Sequence, residues 1–302
     1  MKVYLENVDL NSSSGPNGFA SKLNDEFYNF GVEVVKGVDE SDVRLCFIKS
    51  IFEKDIPIVQ RLDGISFNSS FDFEKANRAT KKTYEKAEAV IIQSEFDKKI
   101  INNFFGTRES QFVINNGTSF SKIAEINPTD NYKKFDNVWS SSSCWKGRPH
   151  KRLSENVRYF KENRGPNDCL VIMGENGKAE DFGDEVFILG HVTWEKMISV
   201  MKVSKYFVHL ALVDHCPNVV VDAKSCGCRI VCSSMSGTEE ISGTDAIVVE
   251  EGFLWDFSTP FDYTKHELID FSFQRSGRFD RNLDISYITN LYVNVLKRVC
   301  YV

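Results

Sequence analysis

The chain lacks several things that would assign it quickly. No run of about eighteen apolar residues occurs, so no segment is suited to cross a bilayer. The first residues, Met1 to Asn7, carry no apolar core of the length a secretory leader needs. The dinucleotide spacing G-x-G-x-x-G is missing. So is any Asp-x-Asp motif, and metal independence is therefore expected. Only five histidines occur, and no spaced Cys or His pair follows the cysteines at 226, 228 and 232, which argues against zinc. Excess positive charge is absent too. A net charge of -6 gives no reason to expect nucleic-acid binding. Internal repeats and low-complexity segments are likewise missing.

What remains is an ordinary globular composition: 42% apolar, 26% charged, and 24 phenylalanines to fill aromatic cores. A length of 302 residues suits two domains. The eight scattered cysteines, with no leader, are expected to be reduced thiols in the cytoplasm.

Strand and helix patterns alternate throughout, which predicts α/β architecture with parallel sheets. Strands are expected near 3–5, 32–35, 44–47, 56–61, 90–93 and 112–115, with helices near 19–30, 73–87 and 95–105. Ser94 reads as a helix cap and Gly106 as a stop. Residues 123–134, with Pro128, Asp130 and Asn131, read as a linker. A second series predicts strands near 137–142, 169–173, 186–189, 206–210, 229–232 and 246–249. Helices are expected there near 154–162, 194–203, 217–226 and 237–242. The expected domains are 1–134 and 135–284, followed by a terminal helix over 285–302.

The most specific stretch runs from Asp214 to Cys232. Asp214 falls on a strand-to-helix loop. Pro217 suits the first helical position, and Gly227 the residue past the helix end. N–H groups near Val219 and Val220 would then face the loop, as at a phosphate-binding helix start. Asp222, over a turn into the helix, would reach toward a sugar diol, since a carboxylate can accept from two hydroxyls.

This stretch resembles the signature of glycosyltransferase family 4, retaining enzymes of GT-B fold. The family pattern is Glu, seven residues, Glu-Ala, then small-x-Gly and a strand. Here Asp214 and Asp222 stand where the family has glutamates. Each is shorter by one C–C bond, about 1.5 Å of reach. The resemblance implies two Rossmann-like doubly wound domains facing across a cleft. It implies that Asp214 holds sugar hydroxyls and Asp222 the ribose, with Cys216, Pro217, Asn218, Val219 and Val220 around the donor phosphate. Lys146 and Lys151 have the spacing of the family's diphosphate-clamping Arg-x4-Lys pair, with Arg148 a rival for the first role. The Gly190-His191-Val192 loop, like Met173-Gly174-Glu175, would hold the nucleobase. The glycine-bearing loop from Ser13 to Ala20, with Gly15, would lie over the donor phosphate. Asp63 is the candidate on the acceptor side, with a turn-forming Asp-Gly as the alternative reading. Gly237 to Ile241 matches a family helix start, and Glu240 is expected to be structural.

Lys75, Arg78, Lys82 and Lys86 form a basic stripe at helical spacing. It suits either peripheral contact with an anionic membrane or a solvated helix face. The reading is therefore a retaining hexosyltransferase that takes a UDP- or GDP-sugar and a glycan or other hydroxyl acceptor, and needs no cofactor. The alternative is a weak or inactive nucleotide-sugar-binding protein of the same fold. An epimerase or phosphorylase is less favoured.

Overall fold

The computed structural model describes residues 1–12, 14–175, 182–263 and 269–301. Ser13, at the start of the glycine-bearing loop considered above, lies outside them. The chain divides into two compact units. The first comprises Met1–Ser119, Trp255–Phe261 and Asn282–Val302; the second comprises Phe120–Leu254 and Asp262–Arg281.

Among the described residues of the first unit, the strands are β1 (Lys2–Glu6), β2 (Glu33–Val34), β3 (Val43–Phe47), β4 (Ile58–Leu62), β5 (Ala89–Ile92) and β6 (Gln111–Val113). They pair in the order β2-β1-β3-β4-β5-β6, all parallel. β3, β4 and β5 are buried along their whole length, as expected of strands covered on both faces. Helices α1 (Gly15–Phe27), α2 (Phe73–Lys86) and α3 (Glu95–Phe105) connect them. Local chemistry sets their ends. Asp72 caps α2 by accepting from Lys75 N–H at 2.9 Å, and Ser94 caps α3 by accepting from Asp97 N–H at 3.0 Å. Gly106 ends α3 at φ 95°.

In the second unit α4 (Phe120–Glu125) comes first. Its strands are β7 (Val138–Ser142), β8 (Cys169–Met173), β9 (Val186–Gly190), β10 (Ser204–His209), β11 (Arg229–Ser233), β12 (Ile247–Val249) and β13 (Gln274–Ser276). Its longer helices are α5 (Leu153–Asn163), α6 (Trp194–Met201) and α7 (Asn218–Ser225). The order is β13-β12-β11-β10-β7-β8-β9, parallel except for β13. The polar edge strand β13 has no apolar alternation and was not foreseen. The order reverses between β7 and β10, and ligands of such sheets bind outside the carboxyl ends of strands at that switch. The loops following β7 and β10 are therefore the place to look.

The structure corrects the expected linker. Residues 123–134 belong to the second unit. Lys202 Nζ donates to the Ala124 and Ile126 carbonyls at 3.2 and 2.5 Å, and Thr129 N–H donates to Ser199 O at 3.0 Å. Tyr132 and Phe135 each pack 5.6 Å from Phe187. The polar residues that suggest a linker are thus surface residues of a docked segment.

The terminal helix α8 (Ile285–Cys300), capped by Asp284, packs on α1 within the first unit. Ile285, Ile288, Tyr292, Val293, Val295 and Leu296 join the core formed with Phe19, Leu23 and Phe27. Each such aliphatic side chain contributes about 1.5–3 kcal/mol on burial. The segment 255–261 also belongs to this unit, where Trp255 stacks on Phe67 at 4.9 Å and Phe257 meets Phe96 edge-on at 5.4 Å. No turn or period in the sequence marks that return.

Candidate active site

The loop after β10 is held tightly. Leu212 N–H donates to the His150 carbonyl (2.8 Å), Val213 N–H to Met235 O (2.9 Å), and the Asp214 carbonyl accepts from Gly237 N–H (2.7 Å). Val213 takes a left-handed φ of 54°, an unfavourable setting for a β-branched residue that these bonds enforce. After β7, a 3-10 turn over Pro149–Lys151 presents Lys151. The next residue, Arg152, anchors that turn. Its buried guanidinium binds both oxygens of Glu251 at 2.6 and 3.2 Å.

These two loops bring Lys151 and Asp214 together. Lys151 Nζ lies 2.5 Å from Asp214 Oδ2, and His209 Nε2, from the end of β10, lies 2.8 Å from the same oxygen. The side chains of Lys151 and Asp214 are only 13% and 12% exposed, and that of His209 is 1% exposed. Burial pushes the Asp214 carboxyl up, but the Lys151 charge and the His209 hydrogen bond outweigh it and hold it well below the usual carboxylate range. In the sequence His209 reads first as a strand end, with a metal grouping of His209, Asp214, His215 and Cys216 as the lesser alternative. Its five-residue offset from Asp214 does not say that the imidazole meets the carboxylate; the closed loop does.

His150 has the opposite problem. Burial first, then the charge of Lys151, push its imidazole down to about 4. It stays neutral in the fold while the unfolded chain takes up a proton below about pH 6.5. Its contribution is therefore intact above that pH and drains away as the pH falls toward about 4. Asp214, being depressed, holds its contribution above about pH 4 and loses it below. We expect urea unfolding of the wild type to lose about 2 kcal/mol from His150 between pH 7 and pH 5. His150→Gln should flatten that stage and leave the acid stage below pH 4. An unchanged slope in the variant would contradict the assignment.

Helix α7 refines the expected motif. Pro217 is the residue before the helix, at φ -68° and ψ 122°, and Asn218 is the first helical residue. The Pro217 carbonyl accepts from Val220 N–H (3.0 Å) and Val221 N–H (3.2 Å). Val220 N–H is therefore not available to the loop, contrary to expectation, because the first turn tightens onto Pro217. At the other end Gly227, φ 90°, closes the helix as predicted, with Cys228 N–H on the Ala223 carbonyl at 3.1 Å. Burial pushes the Cys226 and Cys232 thiols up to about 12, so they stay protonated packing groups. Asp222 is 2% exposed, and Trp194 Nε1 donates to its Oδ2 at 3.0 Å.

The remaining candidates separate. Lys146 is solvent-exposed and pairs with Glu175 at 3.0 Å, not with the Asp214 cluster. Arg148 is exposed two residues further on. Gly174 ties three strand ends together. Its N–H donates to Gly190 O at 2.7 Å, and at φ 108° a Cβ would lie 1.9 Å from Ser143 O. That bond fixes the start of the Gly190-His191-Val192 loop, where Gly190 has φ 65°.

Gly15 and Asp63 belong to the first unit. The glycine loop is shorter than expected because α1 starts at Gly15, not Phe19. Ser14 O accepts from Gly18 N–H at 2.7 Å, and Pro16 pre-sets the first turn. Asp63 accepts from Arg61 and Gln93. Arg61 is fully buried, bonded also to Tyr292 Oη (3.0 Å) and Asn116 Oδ1 (2.7 Å), so Asp63 serves a structural charge cluster. Half of the basic stripe is compensated: Lys82 and Lys86 reach Glu53 at 2.7 and 2.9 Å. In the 237–241 turn it is Glu239 that binds Arg275 and Arg278. Among the described residues, no helix is long and apolar enough to cross a membrane.

The two Rossmann-like, largely parallel-sheet units have the GT-B architecture of glycosyltransferase structures. Residues 140–265, within the second unit apart from the segment 255–261, match the family model described as glycosyl transferases group 1. Sucrose-phosphate synthase from Thermosynechococcus elongatus superposes with a TM-score of 0.66 at 11% identity, covering 99% of this chain and 92% of that one. HepE of Anabaena in complex with UDP gives 0.66 at 14% identity, covering 99% and 100%. AviGT4, a glycosyltransferase involved in avilamycin A biosynthesis, gives 0.62 at 12% identity, covering 99% and 98%. At such identities the likeness establishes the fold. No curated protein matches the sequence.

Proposed function

We propose that the chain is a retaining, metal-independent hexosyltransferase that uses a UDP-sugar and a glycan or other hydroxyl acceptor. The observation that carries this reading is Lys151 Nζ at 2.5 Å from Asp214 Oδ2, at the switch point of a group 1 domain. An ammonium has three donors, and Asp214 occupies one direction. The others can meet the donor diphosphate and stabilise the negative charge that grows on it as the glycosidic bond breaks. Arg148 adds charge at the rim, and Asp222 would take the ribose. In the resembled family the leaving phosphate deprotonates the acceptor on the same face, so no side-chain nucleophile is needed. UDP is favoured over GDP because HepE, of the same fold, holds UDP. Residence in the cytoplasm fits eight cysteines that are all free.

A second reading, a nucleotide-sugar binder without transfer, is favoured by one observation. Both acids are already engaged, Asp214 by Lys151 and His209, Asp222 by Trp194. Calorimetric titration with UDP and GDP, followed by an assay of UDP-sugar hydrolysis, separates the outcomes. UDP binding with slow hydrolysis supports transfer. Binding with no hydrolysis supports the binder, and no binding of either nucleotide overturns both.

A further inference from the structure

We propose that Trp194 is the positioning residue for Asp222, and that this pair sets the preference of the site for a ribonucleotide over a deoxyribonucleotide. The inference rests on the reading of the second unit as a nucleoside-diphosphate site. Asp222 is 2% exposed on the second turn of α7. A buried carboxylate needs strong donors or it is costly to keep ionised. The indole N–H supplies one, at 3.0 Å on Oδ2. It is donor-only and attached to a rigid ring. It therefore holds one carboxylate oxygen in place, and a carboxylate has a second oxygen that can accept from a diol.

The placement of Trp194 gives this contact a further meaning. It is the first residue of α6, immediately after the Gly190–Thr193 loop, and Thr193 caps the helix by accepting from Lys196 N–H at 3.3 Å. The loop expected to hold the nucleobase and the acid expected to hold the ribose are thereby joined through one side chain. α6 also packs beside α7, so the indole bridges neighbouring helices. An aspartate is about 1.5 Å shorter than the glutamate of the resembled family. Its shorter arm has fewer rotamers to search, and a fixed donor on one oxygen narrows them further. The ring is only half-buried, so replacing it by phenylalanine keeps the packing while removing the N–H.

The test is calorimetric binding of UDP and of 2′-deoxy-UDP to the full chain, for the wild type and for Trp194→Phe. We expect the wild type to favour UDP by about ten-fold or more, the scale of a lost hydrogen bond to a charged group. Trp194→Phe should shrink that ratio several-fold while binding of 2′-deoxy-UDP stays nearly constant. Trp194→His, which keeps a ring N–H, should recover part of the ratio and carries the test if the phenylalanine variant does not fold. Equal weakening of both nucleotides, or an unchanged ratio in every folded variant, overturns the positioning role. A wild type that binds neither nucleotide overturns instead the reading of the site on which the role rests.

Discussion

If Lys151 holds the donor diphosphate as proposed, Lys151→Ala is expected to lower affinity for UDP by about 100-fold, because it removes a charge-assisted contact in a partly desolvated site. It also strips Asp214 of its cation. The remaining carboxylate is 12% exposed and keeps the His209 contact but no longer that of the ammonium, so the folded state should lose about 1–3 kcal/mol as well. The two effects are separable. Lys151→Arg restores the charge and should recover most of the stability, but its planar fork fits a different phosphate geometry and should recover binding only in part. Lys146→Ala is the internal comparison. Its pair with Glu175 is solvent-exposed, so losing it should leave stability unchanged and cost only a few-fold in affinity. Calorimetry and urea unfolding on the same three variants check this. If Lys146→Ala weakens UDP as much as Lys151→Ala does, the site is centred on the wrong lysine.

Much of this arrangement was legible in the sequence. Strand positions in the second unit were readable because buried parallel strands are continuous apolar runs, such as Cys169–Met173, bounded by loops. Helix ends were readable where a side chain caps or a glycine stops, as at Ser94, Gly106 and Gly227. The family resemblance assigned Lys151 to the diphosphate and Asp214 to the sugar hydroxyls; their direct pairing is seen only in the structure, since the partners are far apart in the chain. The structure adds what no period encodes. His209 and Trp194 look like a strand end and a helix start, and become partners of the two acids only when loops close. Pro217 shifts by one position because its carbonyl, not its missing N–H, starts the helix. The return of Trp255–Phe261 to the first unit depends on distant rings, chiefly Phe67 and Phe96. Asp63 looked like a ligand contact because it follows a strand end. Its role as counter-ion to Arg61 required knowing that Arg61 is fully buried.

Gly174→Ala is expected to destabilise the second unit by about 3–4 kcal/mol, the range of a forced backbone conformation added to an overpacked contact. The argument needs both terms. At φ 108° an alanine is strained wherever it stands, and here its Cβ would also meet the Ser143 carbonyl at 1.9 Å. That atom is backbone and cannot rotate away, so β7 and β8 must separate at their carboxyl ends. Ser143 N–H is bonded to Met173 O at 3.3 Å and Trp145 N–H to Glu175 O at 2.9 Å, so the displacement reaches the loop that carries Arg148 and Lys151. The Gly190–Val192 loop moves with it, through the 2.7 Å bond from Gly174 N–H. Affinity for UDP should therefore fall together with stability, even though Gly174 has no side chain to offer a ligand. Gly190→Ala isolates the conformational part. Gly190 also has positive φ, but its Cβ position is open, so only about 1 kcal/mol should be lost. Urea unfolding at constant m-value reads the difference directly. Equal midpoints for the two variants would mean that the strand ends yield freely, and the site would then not be the rigid constellation on which the Lys151 argument depends.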